Sequence, residues 1–462
     1  MQHTTHIVAM ALSLLAVPAA SAELVTLDGR FGDWQNRDLA FDARDATGDA
    51  VGDFDVVAFR GLAEGTTLLI DLQLASSLNL QAGPTEQGTL VLSVRLADGK
   101  TLAIDLRTRT ATVDGAPVAW DTLRFTALPT YAATRQELRI DLGPLGAKAG
   151  DAVELSLSGS DDVDPSRVTL AEPVTPVEPA TLDRAADSDW RLAVMNVLWD
   201  GQADAGRGRQ IGRLLAATDP DIVALQEAIA REDLPDRDAG EMPDAVTAAE
   251  RVANVLDRRL EGDWNAVADG LGCVVASRFP LQGVSLGEGV RGAAAVVDVD
   301  GNGFGEGDPL VVSVHLKCCG FADSDEDHQR VAQVQAMIET LQPLADRHPI
   351  VVAGDYNLVG SRRPLDLLAQ EPLGLIEAML LQAGEATAAT WRGLSPTESF
   401  WPGRLDLVCH DASLSAKKAF VLDTADLSPG TLSRHGLLAT DSLASDHLLM
   451  VLDVAVADLP FE

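Results

Sequence analysis

The sequence predicts an α/β domain preceded by an all-β domain, and three observations support this. From residue 23 to about residue 159, short runs such as "TTLLIDLQL", "TLVLSVRLAD", "TLAIDLRT" and "AVELSLSG" alternate apolar and polar residues between Gly, Asp and Pro turns. Period-two alternation cut by turn residues is the pattern of antiparallel strands that bury one face. From Trp190 onward, strand-like runs alternate with stretches whose apolar residues recur at helical spacing, the order that lays helices against a sheet. Between the two, "DDVDPSRVTLAEPVTPVEPATLDRAADSD" carries four prolines and many acids and reads as an extended acidic linker. The expected organisation is a β-sandwich accessory domain over 23–159, a linker over 160–189 and a catalytic-size domain over 190–462.

Within the second domain the elements follow one another clearly. "RLAVMNVLW" reads as a strand, 208–217 as a helix, "DIVALQE" as a strand and 244–260 as a helix. "LVVSVHLK" is again a strand, "DEDHQRVAQVQAMIETLQPLA" a helix and "PIVVAGDYN" a strand. No internal repeat interrupts this order.

Residues 1–22 contain an apolar core from Ile7 to Val17, a breaker at Pro18 and small residues from Ala20 to Ala22, the layout of a cleaved signal peptide. A secreted or periplasmic protein is expected. No other apolar run is long enough to span a bilayer, so no stable membrane insertion is expected. The 462 residues carry 70 acids against 35 bases, a net charge of -35 that repels polyanions and anionic membranes. An anionic substrate must then be small, or be met by metal ions and a locally positive cleft. Of the four cysteines, Cys273 and Cys409 lie in apolar runs, while Cys318 and Cys319 are adjacent. An oxidising compartment permits a Cys318–Cys319 disulfide or a bond from either to the other two.

The chemistry gathers where strands end. "MNVLWDG" offers Asn196, "VALQEA" Glu227, "VSVHLK" His315, "VVAGDYN" Asp355 and Asn357, "GRLDLV" Asp406, and "ASDHLLMVL" Asp446 and His447. Carboxylates and amides are hard oxygen ligands suited to Mg2+, Mn2+ or Ca2+, and two histidines exchange protons near neutral pH. One such residue is ordinarily a cap or a satisfied core group; six polar strand ends in one domain describe a site. Lys317, Arg362 and Arg363 are the bases nearest to these positions and could form a positive mouth for a phosphate. "DVDGNGFGEGDP" opens like a calcium loop at Asp298, Asp300 and Asn302, although the twelfth position is Pro309.

The order Asn, L-Q-E, H-L, G-D-Y-N, R-L-D and S-D-H resembles the endonuclease/exonuclease/phosphatase superfamily, which includes pancreatic-type deoxyribonuclease, bacterial sphingomyelinases and inositol polyphosphate phosphatases. The resemblance spans about Trp190 to Val456. It implies a four-layer α/β sandwich with the site at one edge of two packed sheets. It further implies that Glu227, Asn196 and Asp446 serve the metal, that Asp355 and Asn357 hold the attacking water and the phosphate, and that His447, oriented by Asp406, is base or phosphate contact. His315 would then serve the leaving group. Pancreatic-type members give that histidine a carboxylate partner, for which Glu288 is the nearest candidate here. "LDGRFGDWQ" with "DARDATGDAVGDFD" resembles family-nine-like carbohydrate-binding β-sandwiches, some of which hold calcium.

The expectation is a secreted, divalent-metal-dependent phosphoesterase, first a phosphodiesterase or nuclease acting on nucleic acid or a small phosphodiester. A phosphomonoesterase or sphingomyelinase-like lipid-headgroup hydrolase is the alternative. From a different class, a glycan-binding protein with a non-catalytic scaffold competes, and the complete set of competent residues argues against it.

Overall fold

A computed structural model describes residues 25–35, 37–81, 88–172, 181–235, 244–394 and 400–456. The signal peptide read from the sequence lies outside them. Among the described residues no helix is long and apolar enough to cross a membrane.

The first domain is a sandwich of a five-stranded and a six-stranded sheet whose strand pairings are antiparallel. The alternating leucines of Thr67–Leu78 and Leu90–Arg95 face one another across a shared core. One expectation fails here. Val163–Thr169, assigned to the linker, is a strand paired with Ala152–Gly159, and Leu170 sits in the sandwich core. Val163–Thr169 lies at the sheet edge and Pro165 falls at a register shift, so its missing N–H breaks no ladder. At the far end of the same segment Leu182 is fully buried in the second domain, and residues 173–180 lie outside the described residues.

The second domain packs a seven-stranded against a six-stranded sheet. In the first sheet β1 (Trp190–Asn196) runs parallel to β2 (Ile222–Gln226) and antiparallel to the last strand, Leu449–Val456. In the second sheet β3 (Leu310–His315) runs parallel to β4 (Ile350–Asp355), which pairs antiparallel with β5 (Asp406–His410). Helices α1 (Arg207–Thr218) and α2 (Ala245–Arg259) cover the outer face of the first sheet, and α3 (Asp325–Ala345) that of the second. The result is the four-layer sandwich. Strand side chains alternate between two buried faces, which is why these runs look continuously apolar. On β1, Trp190, Leu192 and Val194 enter the core between the sheets, while Ala193 and Met195 meet the helices. Each fully buried Val or Leu adds on the order of 1.5–3 kcal/mol, so the strand ends are held on a rigid frame.

Candidate active site

The inward parity that builds the interlayer core also aims the polar groups. Continuing it along each strand, Trp190, Leu192 and Val194 lead to Asn196; Val311 and Ser313 to His315; Val351 and Ala353 to Asp355; and Val408 lies two residues beyond Asp406 on the same face. His315 is registered beside Asp355 on the parallel neighbour, and Asp355 beside Asp406. Three polar groups thus form one row across one sheet, while Asn196 and Glu227 face them from the other. Gly354 permits this crowding: at its φ of +139° an added Cβ would lie 2.2 Å from the Val314 carbonyl oxygen. Glu227 at φ +55° and Asn357 at φ +49° adopt left-handed backbone that non-glycine residues avoid, a strain that clusters at working sites.

Asn196 is the link between the sheets. Its Nδ2 donates to Glu227 Oε1 and to Asp355 Oδ2, both at 3.2 Å, while its Oδ1 accepts from Leu198 N at 3.0 Å. Glu227 Oε2 accepts from Trp199 N at 3.2 Å. Asp355 Oδ1 accepts from Asn357 N at 3.0 Å, and Asn357 Nδ2 donates to the Leu316 carbonyl at 3.2 Å. The second histidine is clamped, since His447 Nδ1 lies 2.8 Å from Asp406 Oδ2 and 3.1 Å from Oδ1, leaving Nε2 3.8 Å from Asp355 Oδ2. His315 Nε2 lies 3.6 Å from Asp355 Oδ2 and 3.9 Å from Glu227 Oε1. Glu227, His315, Asp355, Asn357 and His447 line a recess of about 150 Å3 together with Cys318, Cys319, Trp391, Phe400, Trp401 and, from the first domain, Gln81.

Burial and crowding push the titrating groups apart. Desolvation raises the Asp355 carboxyl to about 7; His447 opposes the rise, and the Asp406 and Glu227 carboxylates add to it. Burial opposes charge on His447, but Asp406 and Asp355 around it win and raise it to about 10. His315 is held well below its usual range by burial and by its neighbours Arg291 and His447. Its Nδ1 is buried without a hydrogen-bond partner, and Glu288 is exposed, so the expected carboxylate partner is absent among the described residues. The His447 shift has a consequence for stability. A folded value raised from 6.5 contributes stability that is complete below about 6.5 and is lost as pH rises through about 10. In chelator, the thermal midpoint of the wild type should therefore fall between pH 7 and 10, and that of His447→Gln should fall less over the same window, as differential scanning fluorimetry can read.

The other sequence-derived candidates fall elsewhere. Asp446 is turned aside: its Oδ2 accepts from Trp391 Nε1 at 3.2 Å and its Oδ1 from Ser445 Oγ at 3.4 Å. Arg362 does not line the recess, because its guanidinium pairs with Asp366 and, at 3.5 Å, with Glu377 in a separate cavity at the domain interface. Arg363 is exposed on the first turn of a short helix, Arg363–Ala369. Lys317 is half-buried, its backbone N donating to Gln333 Oε1 at 2.9 Å. The cation the sequence reading missed is Arg291, whose carbonyl accepts from His315 N at 3.1 Å; the Gly292–Val314 register brings it there. Cys318 and Cys319 are free thiols rather than a disulfide, with Cys319 Sγ donating to Cys318 Sγ at 2.9 Å; that bond lowers the Cys318 thiol to about 6. Cys273 and Cys409 are buried free thiols. In the hairpin turn between Gly292–Val297 and β3, Asp298 and Asp300 are joined by Asp308, with one carboxylate oxygen of each within 4.8 Å of the others. Asn302 instead donates its Nδ2 to Asp300 Oδ2 at 2.6 Å.

A four-layer sandwich that closes two carboxylates, two amides and a clamped imidazole over one recess defines a deoxyribonuclease-like hydrolase fold. The Endonuclease/Exonuclease/phosphatase family matches residues 193–447, more than half of the chain, and the chain belongs to that family, whose members hydrolyse phosphoester bonds. Among solved structures, the chain is similar to a humanized D. rerio TDP2 carrying 14 mutations (15% identity, 58% of this chain and 99% of that one, TM-score 0.38). It is also similar to the human Nocturnin catalytic domain with bound sulfate (19% identity, 61% and 100%, TM-score 0.37) and to an endonuclease/exonuclease/phosphatase from Bacteroides vulgatus (14% identity, 58% and 98%, TM-score 0.38). No curated protein matches the chain in sequence.

Proposed function

We propose that this protein is an exported, divalent-metal-dependent phosphodiesterase. The observation that carries the reading is the convergence of both imidazoles on a single carboxylate oxygen, Asp355 Oδ2, with an amide and a second carboxylate beside it. The donor set fits a hard divalent cation. Glu227 and Asn196 offer oxygen ligands, and Asp355 sits among acids whose crowding no arginine relieves in the recess lining. Asp406 is less suited as a ligand, although it groups with Asp355 and His447, because it is already committed to His447 Nδ1. Glu227 and Asn196 would hold the cation, which when bound would neutralise charge on the phosphoryl oxygens.

The protein's own groups divide the remaining work. Asp355, raised toward neutrality, suits the general base that takes the proton of the attacking water. His447, kept charged by Asp406, donates from Nε2 to a phosphoryl oxygen, which selects the phosphate-contact role over the base. His315, neutral, stands on the same recess to donate Nε2–H to the leaving oxygen. A diester is preferred over a monoester because the flanking Trp391, Phe400 and Trp401 offer apolar surface to a second substituent, and duplex binding lacks a basic face.

The test is turnover of bis(p-nitrophenyl) phosphate against p-nitrophenyl phosphate with Mg2+, Mn2+ or Ca2+. Faster diester turnover that chelator abolishes is the expected result; monoester preference, or turnover indifferent to chelator, contradicts it. A structural Ca2+ in the acidic hairpin belongs to the same reading, supported by Asp298 Oδ1, buried without a partner in a residue only 5% exposed. Calcium at about 100 times its dissociation constant should stabilise the wild type by about 2.7 kcal/mol, and Asp298→Asn should abolish that gain in thermal midpoint.

A further inference from the structure

Resting on the phosphodiesterase reading, we propose that the N-terminal sandwich is a built part of the catalytic centre. In this role Gln81 is a positioning residue, and the wall it forms with Trp401 admits phosphoesters with a compact substituent rather than a phosphate within a duplex. The sequence suggests an accessory β-sandwich that resembles carbohydrate-binding domains.

The contacts run from the sandwich to the two segments that flank the catalytic carboxylates. Gln81, 2% exposed, uses both ends of its amide on one residue: Nε2 donates to the Trp401 carbonyl at 2.7 Å and Oε1 accepts from Trp401 N at 2.7 Å. Trp401 itself belongs to the sandwich core, its ring centroid 5.3 Å from that of Phe125 and 6.4 Å from that of Trp120. Asn79 Nδ2 donates to the Val359 carbonyl, and Thr130 Oγ1 donates to the carbonyls of Leu358 at 2.8 Å and Arg404 at 3.1 Å. Those carbonyls sit one and two residues after Asn357 on one side and two residues before Asp406 on the other. Gly403 records how close the domains come, since an added Cβ would lie 2.5 Å from Thr130 Cγ2 and 2.9 Å from the Ala127 carbonyl oxygen.

The same clamp reaches the imidazole. Gly403 and Trp391 exchange backbone hydrogen bonds at 3.0 and 3.2 Å, and Trp391 bridges in turn to His447. When a buried side-chain amide is truncated, the backbone carbonyl it served is left without its partner. Their function is geometric, because displacing catalytic groups by about 1 Å costs about 100-fold in rate. Gln81 and Trp401, the latter packed into the sandwich core, also line the recess itself, so the first domain contributes to the wall of the cleft.

The full-length chain is compared as wild type, Gln81→Ala and Thr130→Val, with bis(p-nitrophenyl) phosphate as the compact substrate and supercoiled plasmid as the duplex. In Gln81→Ala, kcat for the compact diester should fall about 10- to 100-fold with KM little changed, and the ratio of plasmid nicking to compact turnover should rise. Thr130→Val, which exchanges only the hydroxyl for a methyl, keeps the test available if Gln81→Ala fails to fold, and its kcat should fall in the same direction. Folded variants with wild-type kcat, KM and substrate ratio overturn the inference while leaving the phosphodiesterase reading intact. A wild type that turns over neither substrate overturns the reading, and the inference with it.

Discussion

Asp406→Asn should lower turnover of a phosphodiester by about 100- to 1,000-fold, the cost of losing one charged donor to the phosphoryl oxygens, while leaving the fold in place. Asparagine can still accept the His447 Nδ1–H through its oxygen, so the ring keeps its orientation. What disappears is the charge that, with Asp355, lifts His447 to about 10. The sign is definite. In the wild type activity should rise as Asp355 ionises near 7 and, because the protonated imidazole persists until about 10, decline only on the alkaline side. In Asp406→Asn that alkaline limb should move down toward the ordinary histidine value of 6.5. A pH–rate profile reads the displacement, and an unmoved limb would remove His447 from the phosphate contact.

Glu227→Gln should be at least as damaging, by about 1,000-fold or more, since a divalent ion contributes several kcal/mol and each 1.36 kcal/mol is tenfold. Glutamine is the same size and keeps an oxygen for Trp199 N, the bond that holds the loop after β1. The left-handed backbone at residue 227, φ +55°, strains either side chain alike. The measurement pairs turnover with calorimetric titration of Mn2+. Loss of both is expected; lost turnover with undiminished Mn2+ affinity would move the cation to other residues.

The parts of this molecule that were legible in the sequence obey local periodicity. The alternation on β1, β3 and β4 revealed buried strands, and a polar residue that extended the inward parity revealed the site, as with Asn196, His315 and Asp355. What stayed hidden depends on contacts between distant residues. Gln81 and Trp401 are 320 positions apart and meet through an amide and a backbone, which leaves no pattern in composition. Arg291 reaches His315 only through strand register, and Asp446 was drawn away by an indole from Trp391. Pro165 concealed a strand, because proline argues against one except at a sheet edge or bulge, and sequence alone does not show that this segment lies at an edge. Arg362 looked free in sequence and is taken by Asp366 and Glu377.

The most direct measurement is hydrolysis of bis(p-nitrophenyl) phosphate in heavy-oxygen water, with the position of the label read by mass spectrometry. Attack of water on phosphorus at the Asp355–His447 site places one heavy oxygen in the p-nitrophenyl phosphate product and none in the p-nitrophenol. Label in the phenol, or its absence from the phosphate, would contradict water attack at phosphorus.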